Sequence, residues 1–381
     1  LMTFSILNSF IYLKAQWART FGGSGYDGIN APIQQTSDGG YIIAGTSHSY
    51  GSGGSDIWIM KLNSKGEIDW QKTYGGSFYD EPFSIKQTND GGYVVAGEAA
   101  SFGAGNYDLW ILKLSQTGTV EWQKIYEGSE EDYATSIEQT SDGGYITAGV
   151  TSSFGAGAQD AWVLKLDSAG NIEWQKAYGG SDFDCAWSIQ QTGDGGYIIG
   201  GETKSFGDAT GNGWILKLSS SGDIEWQRIY GGDNKDWFSI IQQTSDGDYI
   251  VCGGSNSFGA GLGDGWILKI ASNGDIEWQR TYGGTSDDFL YFIQQTEEGG
   301  HVVAGYSSSF GPRGEDIWVL KLSSGGDIEW QRIFGGSYSD TARSVEKTSD
   351  GGYIVGASSS SFGAGDSDYF ILKLDSDGNI D

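Results

Sequence analysis

The sequence predicts an all-β fold, a seven-bladed β-propeller of four-stranded antiparallel blades. The main observation is a repeated unit: after a first gap of 53 residues, a tryptophan returns every 52 residues. Periods of this length are typical of propellers and solenoids. The composition, with 64 Gly, 3 Pro and 14% aromatic residues, is typical of many short strands joined by tight turns. The series consists of Trp17, Trp70, Trp122, Trp174, Trp226, Trp278 and Trp330.

The second repeat shows how each element is predicted. Runs rich in apolar and β-branched residues mark four short strands of ordinary length. The turn Asn-Asp-Gly-Gly at 89–92 indicates a hairpin, because these residues tolerate the positive φ of tight turns. A glycine-rich loop, Ser-Phe-Gly-Ala-Gly, follows at 101–105. The four strands are expected around 70–74, 83–88, 93–97 and 108–114.

The ends of the chain predict how the propeller closes. The last copy stops at Asp381, where another tryptophan strand would follow, and the first copy begins with that strand at Trp17. The N-terminal strand is therefore expected to complete the last blade and to leave no open sheet edge within the ring. We divide the chain into an apolar N-terminal segment, residues 1–16, and a single propeller, residues 17–381. A solenoid is the alternative, but it would show distinct capping repeats.

The pattern Gly-x-x-x-Trp recurs at the turn before six of the seven tryptophans, for example from Gly118 to Trp122. This hairpin resembles the tryptophan-docking turn of quinoprotein-like (PQQ-type) propellers. The whole repeat, with Trp-Gln-Lys-x-Tyr-Gly-Gly and Trp-Ile-Leu-Lys-Leu, is similar to tandem propeller repeats of secreted bacterial and archaeal proteins. The resemblance covers residues 17–381 and implies blade packing alone. The Asp-x-x-Thr-Gly lead-in of the quinoprotein type is missing, and the spacing differs from the Asp box of sialidase propellers, so no quinone site and no glycosidase residues are implied.

The charge of the chain limits its partners. The 22 basic and 50 acidic residues give a formal net charge of −28. This balance argues against nucleic acid and anionic membrane surfaces, since both attract clustered Lys and Arg. Cys185 and Cys252 occupy different positions in their repeats, and we expect two buried thiols rather than a disulfide.

Residues 1–16 indicate export. Nine of the 13 residues from Leu1 to Leu13 are apolar and none is charged. This stretch is too short for an ordinary membrane span and fits the hydrophobic region of a signal peptide. The alternative is a strand that pairs with a neighbouring subunit, a head-to-tail contact that builds filaments. The side chains expected to make that contact are Phe4, Ile6, Phe10 and Tyr12. Both interpretations predict a location outside the cell or at its surface.

One aspartate per repeat precedes the innermost strand and forms the first candidate site. A ring of seven carboxylates would bind cations, with calcium as the one cofactor considered. Alternatively, each carboxylate accepts hydrogen bonds from loop amides and holds the crossing between blades. We favour this second interpretation, because a residue present in every copy serves what every copy shares, the fold. The series is Asp27, Asp80, Asp132, Asp184, Asp236, Asp288 and Asp340.

Aromatic residues form two further series. Those on the third strand are expected to fill the wedge between neighbouring blades. They are Trp58, Trp110, Trp162, Trp214, Trp266, Trp318 and Phe370. Those in the glycine-rich loop are candidates for stacking on a bound sugar. They are Tyr50, Phe102, Phe154, Phe206, Phe258, Phe310 and Phe362.

Residues that break the repeat are the other candidates for a binding site, because function concentrates in variable loops. They are Glu127, Glu130 and Glu131 in one crossing loop, Asn234, Lys235 and Trp237 in another, and Trp187.

No catalytic constellation emerges from the sequence. His48 and His301 occupy unrelated repeat positions, and neither a Ser-His-Asp set nor a His/Cys cluster for zinc is visible. We therefore predict a non-catalytic extracellular or cell-surface propeller, a structural subunit that assembles with itself through its N-terminal segment. The first alternative is a module that binds a glycan or a protein through its glycine-rich aromatic loops. The second is an enzyme of quinoprotein or glycan-cleaving type.

Overall fold

The computed structural model describes residues 16–103 and 106–380. These residues form seven antiparallel sheets, one per blade, and contain no helix, so the predicted fold is confirmed. From the innermost strand outward, the blades are blade 1 (Asp27–Ile29 with Gln34–Gln35, Tyr41–Ser47, Asp56–Leu62, Ile68–Tyr74), blade 2 (Asp80–Gln87, Tyr93–Ala99, Asp108–Leu114, Val120–Tyr126), blade 3 (Asp132–Gln139, Tyr145–Thr151, Asp160–Leu166, Ile172–Tyr178), blade 4 (Asp184–Gln191, Tyr197–Thr203, Asn212–Leu218, Ile224–Tyr230), blade 5 (Asp236–Gln243, Tyr249–Ser255, Asp264–Ile270, Ile276–Tyr282), blade 6 (Asp288–Gln295, His301–Ser307, Asp316–Leu322, Ile328–Phe334) and blade 7 (Asp340–Lys347, Tyr353–Ser359, Asp368–Leu374, Trp17–Phe21).

Blade 7 closes the ring as predicted. Its outermost strand, Trp17–Phe21, pairs antiparallel with Asp368–Leu374. Trp17 lies opposite Lys373, and Phe21 lies opposite Tyr369. Strands from the two ends of the described chain therefore share one sheet, which ties the first repeat to the last.

Blade 1 differs from the other blades in its innermost strand. This strand is divided into Asp27–Ile29 and Gln34–Gln35, which both pair with Tyr41–Ser47. The first repeat has one extra residue in this region, and Pro32 has no backbone N–H to donate to the ladder. The division follows from both features.

Neighbouring blades are attached by the same contact at the outer rim. Trp122 of blade 2 packs against Gly170 in the outer hairpin of blade 3, where an added Cβ would lie 2.9 Å from the indole. Tyr126 donates its hydroxyl hydrogen to the Gly170 carbonyl oxygen at 2.6 Å. Gly170 also has a φ of +76°, so both its backbone conformation and the indole require glycine.

The third-strand aromatics fill the space between blades, as predicted. Trp162 of blade 3 is 2% exposed and packs in one hydrophobic cluster with Val94 and Ile111 of blade 2. Burial of a ring of this size contributes about 3 kcal/mol to the free energy of unfolding. The core is therefore a series of layers between adjacent blades.

Candidate binding site at the central channel

The aspartates at the start of the innermost strands are fully buried, with 0% exposure at all seven positions. In blade 3, Asp132 accepts hydrogen bonds from the Thr151 hydroxyl and from Ser153 Oγ, the latter at 2.7 Å. In blade 5, Asp236 accepts a hydrogen bond from Gly232 N at 2.8 Å. These carboxylates join the crossing loop to the loop after the second strand. In the described part of the chain, no three His, Cys, Asp or Glu side chains are placed to hold a metal ion.

A second buried acidic series, which the sequence analysis does not single out, opens the third strands. Asp160 Oδ2 accepts hydrogen bonds from Ala156 N at 2.8 Å and Gly157 N at 3.0 Å, so it shapes the glycine-rich loop. An added Cβ on Gly179 would lie 1.9 Å from Asp160 and 2.7 Å from Asp184, which places both carboxylates beside this glycine. Because the aspartates at the start of the third strands recur at a fixed spacing, the sequence contained a signal for this series. The series is Asp56, Asp108, Asp160, Asp264, Asp316 and Asp368, with Asn212 in blade 4.

The loop aromatics rest on the aromatic residues of the third strand. The ring centres of Phe154 and Trp162 lie 5.2 Å apart, and those of Tyr50 and Trp58 lie 5.0 Å apart. Phe154 is 39% exposed and Tyr50 is 43% exposed. One face of each ring is therefore covered and the other is open. No member of the series lines the central cavity or the cavity at the junction of blades 2 and 3.

The innermost strands enclose a central cavity of about 530 Å³. Part of its wall is regular, because Ser84 and Ser188 each accept a hydrogen bond from a backbone N–H of the following blade, that of Ser188 from Ile241 N at 2.9 Å. Blades 5 and 6 carry Ile240 and Phe292 at this repeat position. The wall is therefore polar on one side and apolar on the other.

Blade-specific side chains line the rest of the central cavity. The Arg343 guanidinium lies 4.7 Å from the ring centre of Tyr291, within cation–π distance. Burial raises the pKa of Glu138, while the nearby Lys86 lowers it. The lining thus contains charges of both signs beside exposed aromatic surface.

At the junction of blades 4 and 5, a lysine pairs with a buried glutamate. Glu202 is 3% exposed, and its Oε2 lies 3.2 Å from Lys235 Nζ. The same ammonium lies 5.4 Å from the ring centre of Trp237. Burial raises the pKa of Glu202, and Lys235 lowers it. We call Glu202, Lys235 and Trp237 the 4–5 site.

The junction of blades 2 and 3 carries different side chains at the same repeat positions. Glu98 corresponds to Glu202, Tyr133 corresponds to Trp237, and Glu131 corresponds to Lys235. The lysine of one junction is thus a glutamate in the other.

These residues of blades 2 and 3 line a second cavity of about 400 Å³, which shares Phe83, Thr135 and Trp187 with the central one. Burial, followed by the charges of Glu81, Glu131 and Asp80, raises the pKa of Glu98 to about 8. We call this cavity the 2–3 site, formed by Phe83, Glu98, Tyr107, Glu131, Tyr133, Thr135 and Trp187.

Four of the repeat-breaking residues singled out from the sequence line these cavities: Glu131, Trp187, Lys235 and Trp237. The other three, Glu127, Glu130 and Asn234, are exposed and line neither cavity. Sequence reasoning missed several further lining residues, although none of them recurs in more than two copies. These are Glu81, Glu98, Tyr107, Tyr133, Glu202, Tyr291 and Arg343.

No protein-family model matches this chain, and no curated protein matches it. Among solved structures, it is similar to the Neurospora crassa Pan2 WD40 domain, with a TM-score of 0.54 and 10% identity, covering 91% of this chain and 89% of that one. It is also similar to Sqt1 from Chaetomium thermophilum, with a TM-score of 0.50 and 12% identity, covering 90% of this chain and 85% of that one. Likeness at these identities shows the propeller fold alone.

Some of the sequence predictions concern other parts of the molecule. Phe4, Ile6, Phe10 and Tyr12, expected to contact a neighbouring subunit, lie outside the described residues. In the part of the chain that the structure describes, no helix has the length and apolar character of a membrane span. Cys185 is a buried free thiol, and so is Cys252, as predicted.

Proposed function

We propose that the protein is a non-catalytic binding scaffold, outside the cell or at its surface, that holds a segment of a partner protein at the central cavity and the 2–3 site. The distribution of repeat-breaking residues supports this. Residues shared by the blades, such as Asp132 and Trp122, are engaged in blade contacts. Blade-specific aromatic and charged side chains instead gather around two adjoining cavities of about 530 and 400 Å³. In a repeat protein, such a departure from symmetry marks a surface adapted to one ligand.

The chemistry of the lining favours a peptide segment. Trp187, Tyr291 and Phe292 supply apolar surface, and Glu131 and Arg343 supply opposite charges. Aromatic residues and arginine in a concave surface are typical of the residues that dominate the affinity of protein–protein interfaces. Because the lining differs from blade to blade, it fits one extended segment in one orientation.

The glycan alternative relies on the loop aromatics, which are less well placed. Phe154 and its counterparts occur once per blade, each against the ring of its own third strand. A bound sugar would therefore meet a single half-covered ring, whereas the channel brings side chains from all seven blades together. Self-assembly through Phe4, Ile6, Phe10 and Tyr12 stays a prediction. Sedimentation of the full chain beside a chain without residues 1–16 tests it: oligomers that disappear with the deletion support it, and monomers in both cases contradict it.

Binding arrays test the proposed function. We would probe a peptide array and a glycan array with the wild type, Trp187→Ala and Phe154→Ala, after checking that the three unfold at similar temperatures. We expect peptides to bind the wild type and Phe154→Ala alike, and Trp187→Ala to bind them at least about tenfold more weakly, since buried aromatic anchors dominate affinity. Glycan binding that Phe154→Ala abolishes, or the absence of any peptide binding, would contradict the proposal.

A further inference from the structure

The 4–5 site contains a built-in cation, and the 2–3 site does not. In the 4–5 site, the Lys235 ammonium lies 3.2 Å from a Glu202 oxygen and 5.4 Å from the Trp237 ring centre. In the 2–3 site, the residue at the lysine position is Glu131. The molecule thus shows, at one junction, how this arrangement of carboxylate and aromatic ring binds an ammonium group.

The carboxylates of the 2–3 site have no counter-ion within the described chain. Among the described residues, the glutamates that form ion pairs with Lys, Arg or His do not include Glu98 or Glu131. Glu98 also lies directly opposite Glu81 in the sheet, so a third carboxylate adds to the negative charge. Glu81 and Glu131 disfavour the ionised form of Glu98, and a bound cation would favour it.

The rest of the 2–3 site suits an organic cation. The Phe83 and Tyr133 rings lie 6.1 Å apart, and Tyr107 and Trp187 complete an aromatic wall. Aromatic faces attract ammonium groups and also cover the methylene chain that carries them. Within the described residues the acidic side chains do not form a metal-binding group, and a cavity of about 400 Å³ is far larger than a single ion.

We propose that the 2–3 site binds an alkylammonium group, the side chain of a lysine in the partner protein, in the position that Lys235 occupies in the 4–5 site. This inference rests on the proposed function and assigns the chemistry of the partner. The formal net charge of −28 attracts a basic partner at long range, and the 2–3 site then selects one lysine.

A charge-matched pair of variants tests this assignment. Glu131→Lys places a lysine of the protein itself at the position of Lys235, so the site is filled from within. Glu130→Lys makes the same change of charge on the adjacent, exposed residue. The probes are a lysine-containing peptide that binds the wild type and the same peptide with that lysine acetylated on its side-chain nitrogen.

We expect Glu131→Lys and acetylation of the peptide each to weaken binding by about tenfold or more, the size of one lost charge-assisted contact. Glu130→Lys should change affinity by about twofold or less, because its charge is screened by solvent. Equal losses for Glu130→Lys and Glu131→Lys, or equal affinities for the free and acetylated peptides, would overturn the assignment.

Two further measurements keep the test decisive. Glu98→Gln preserves the shape of the site but removes the carboxyl group that a bound ammonium would ionise, and it should also weaken the lysine peptide by about tenfold; an unchanged affinity would overturn the assignment even if Glu131→Lys does not fold. Spermidine serves as a free amine. If spermidine binds and no peptide does, the ammonium group does not come from a protein, and the assignment to a lysine side chain is overturned. If peptides bind and Trp187→Ala abolishes the binding, but acetylation has no effect, the proposed function stands and this inference fails.

Discussion

The junctions of blades 2–3 and 4–5 share a frame, the buried aspartates that hold the crossing loops, but they differ in the side chains beside those aspartates. Asp132 and Asp236 are both fully buried, and each accepts a hydrogen bond from the serine at the same position of the following loop, Ser153 or Ser257. The residues directly before them, Glu131 and Lys235, have opposite charges. The frame is common to all blades, so it explains stability and cannot explain selectivity. The side chains attached to it differ between copies, and these differences are where binding is to be sought.

Removal of the frame should have the largest effect and should affect both junctions alike. Asp132→Ala and Asp236→Ala each leave loop donors without an acceptor, and we expect each to lower the free energy of unfolding by about 2–4 kcal/mol. Urea denaturation measures this. We also expect calcium to leave the midpoint of the wild type unchanged. A calcium-dependent rise that Asp132→Ala abolishes would instead support the acidic ring as a cation site.

Removal of the charged side chain that precedes each aspartate, Lys235 or Glu131, should change the free energy of unfolding differently at the two junctions. Lys235→Ala leaves the buried Glu202 carboxylate without its partner, and we expect a loss of about 1–3 kcal/mol in the free energy of unfolding. Glu131→Ala removes a charge that has no counter-ion, so it should cost less than about 0.5 kcal/mol or stabilise the fold. Equal losses in the two variants would contradict the difference between the junctions.

The raised pKa of Glu98 predicts a pH dependence. Its pKa of about 8 lies above the ordinary value of 4.5, since burial and the charges of Glu81, Glu131 and Asp80 disfavour the ionised form. Between these values the folded state holds a proton that the unfolded state has released, so stability falls as the pH rises from about 4.5 to 8. Glu98→Gln removes this term. The wild type should therefore lose stability relative to Glu98→Gln between pH 5 and pH 8, and a constant difference would contradict the shift.

Truncation of a loop aromatic should have the smallest effect. The Phe154 ring is 39% exposed and contacts Trp162 on one face, so Phe154→Ala should lower the free energy of unfolding by about 1 kcal/mol. Thermal unfolding measures this change. A loss close to that of Asp132→Ala would show that the loop series belongs to the core.

The fold was predictable because the residues that determine it recur in every copy of the repeat. The 52-residue period, the glycine turns and the missing last strand predicted seven blades and their closure. Strand boundaries were less accurate. The innermost strand of blade 2 begins at Asp80, three residues before the predicted start. Asp80, Glu81 and Pro82 have low strand propensity, but pairing with the second strand, with a register shift after Pro82, extends the strand through them.

The site was predictable only in part, because it depends on which side chains of different blades come close together. Trp187 and Lys235 were singled out as departures from the repeat, and both line the central cavity. Glu98 was missed because it lies within a strand, and its importance follows from Glu131, which belongs to the next blade. Comparison of the copies position by position shows that Glu98 and Glu202 correspond. It does not show that Lys235 contacts Glu202, because the two residues belong to different elements of neighbouring blades.

The most direct test is to measure the pKa of the Glu98 carboxyl by carbon-13 NMR in the wild type and in Glu131→Lys. If the 2–3 site is a 4–5 site without its cation, the wild type should titrate well above the ordinary value of 4.5, near the value of about 8 that its surroundings produce. The lysine of Glu131→Lys should lower that pKa, because an ammonium beside a carboxylate favours the ionised form. An ordinary pKa in the wild type, or the same raised pKa in both proteins, would contradict the correspondence between the two junctions.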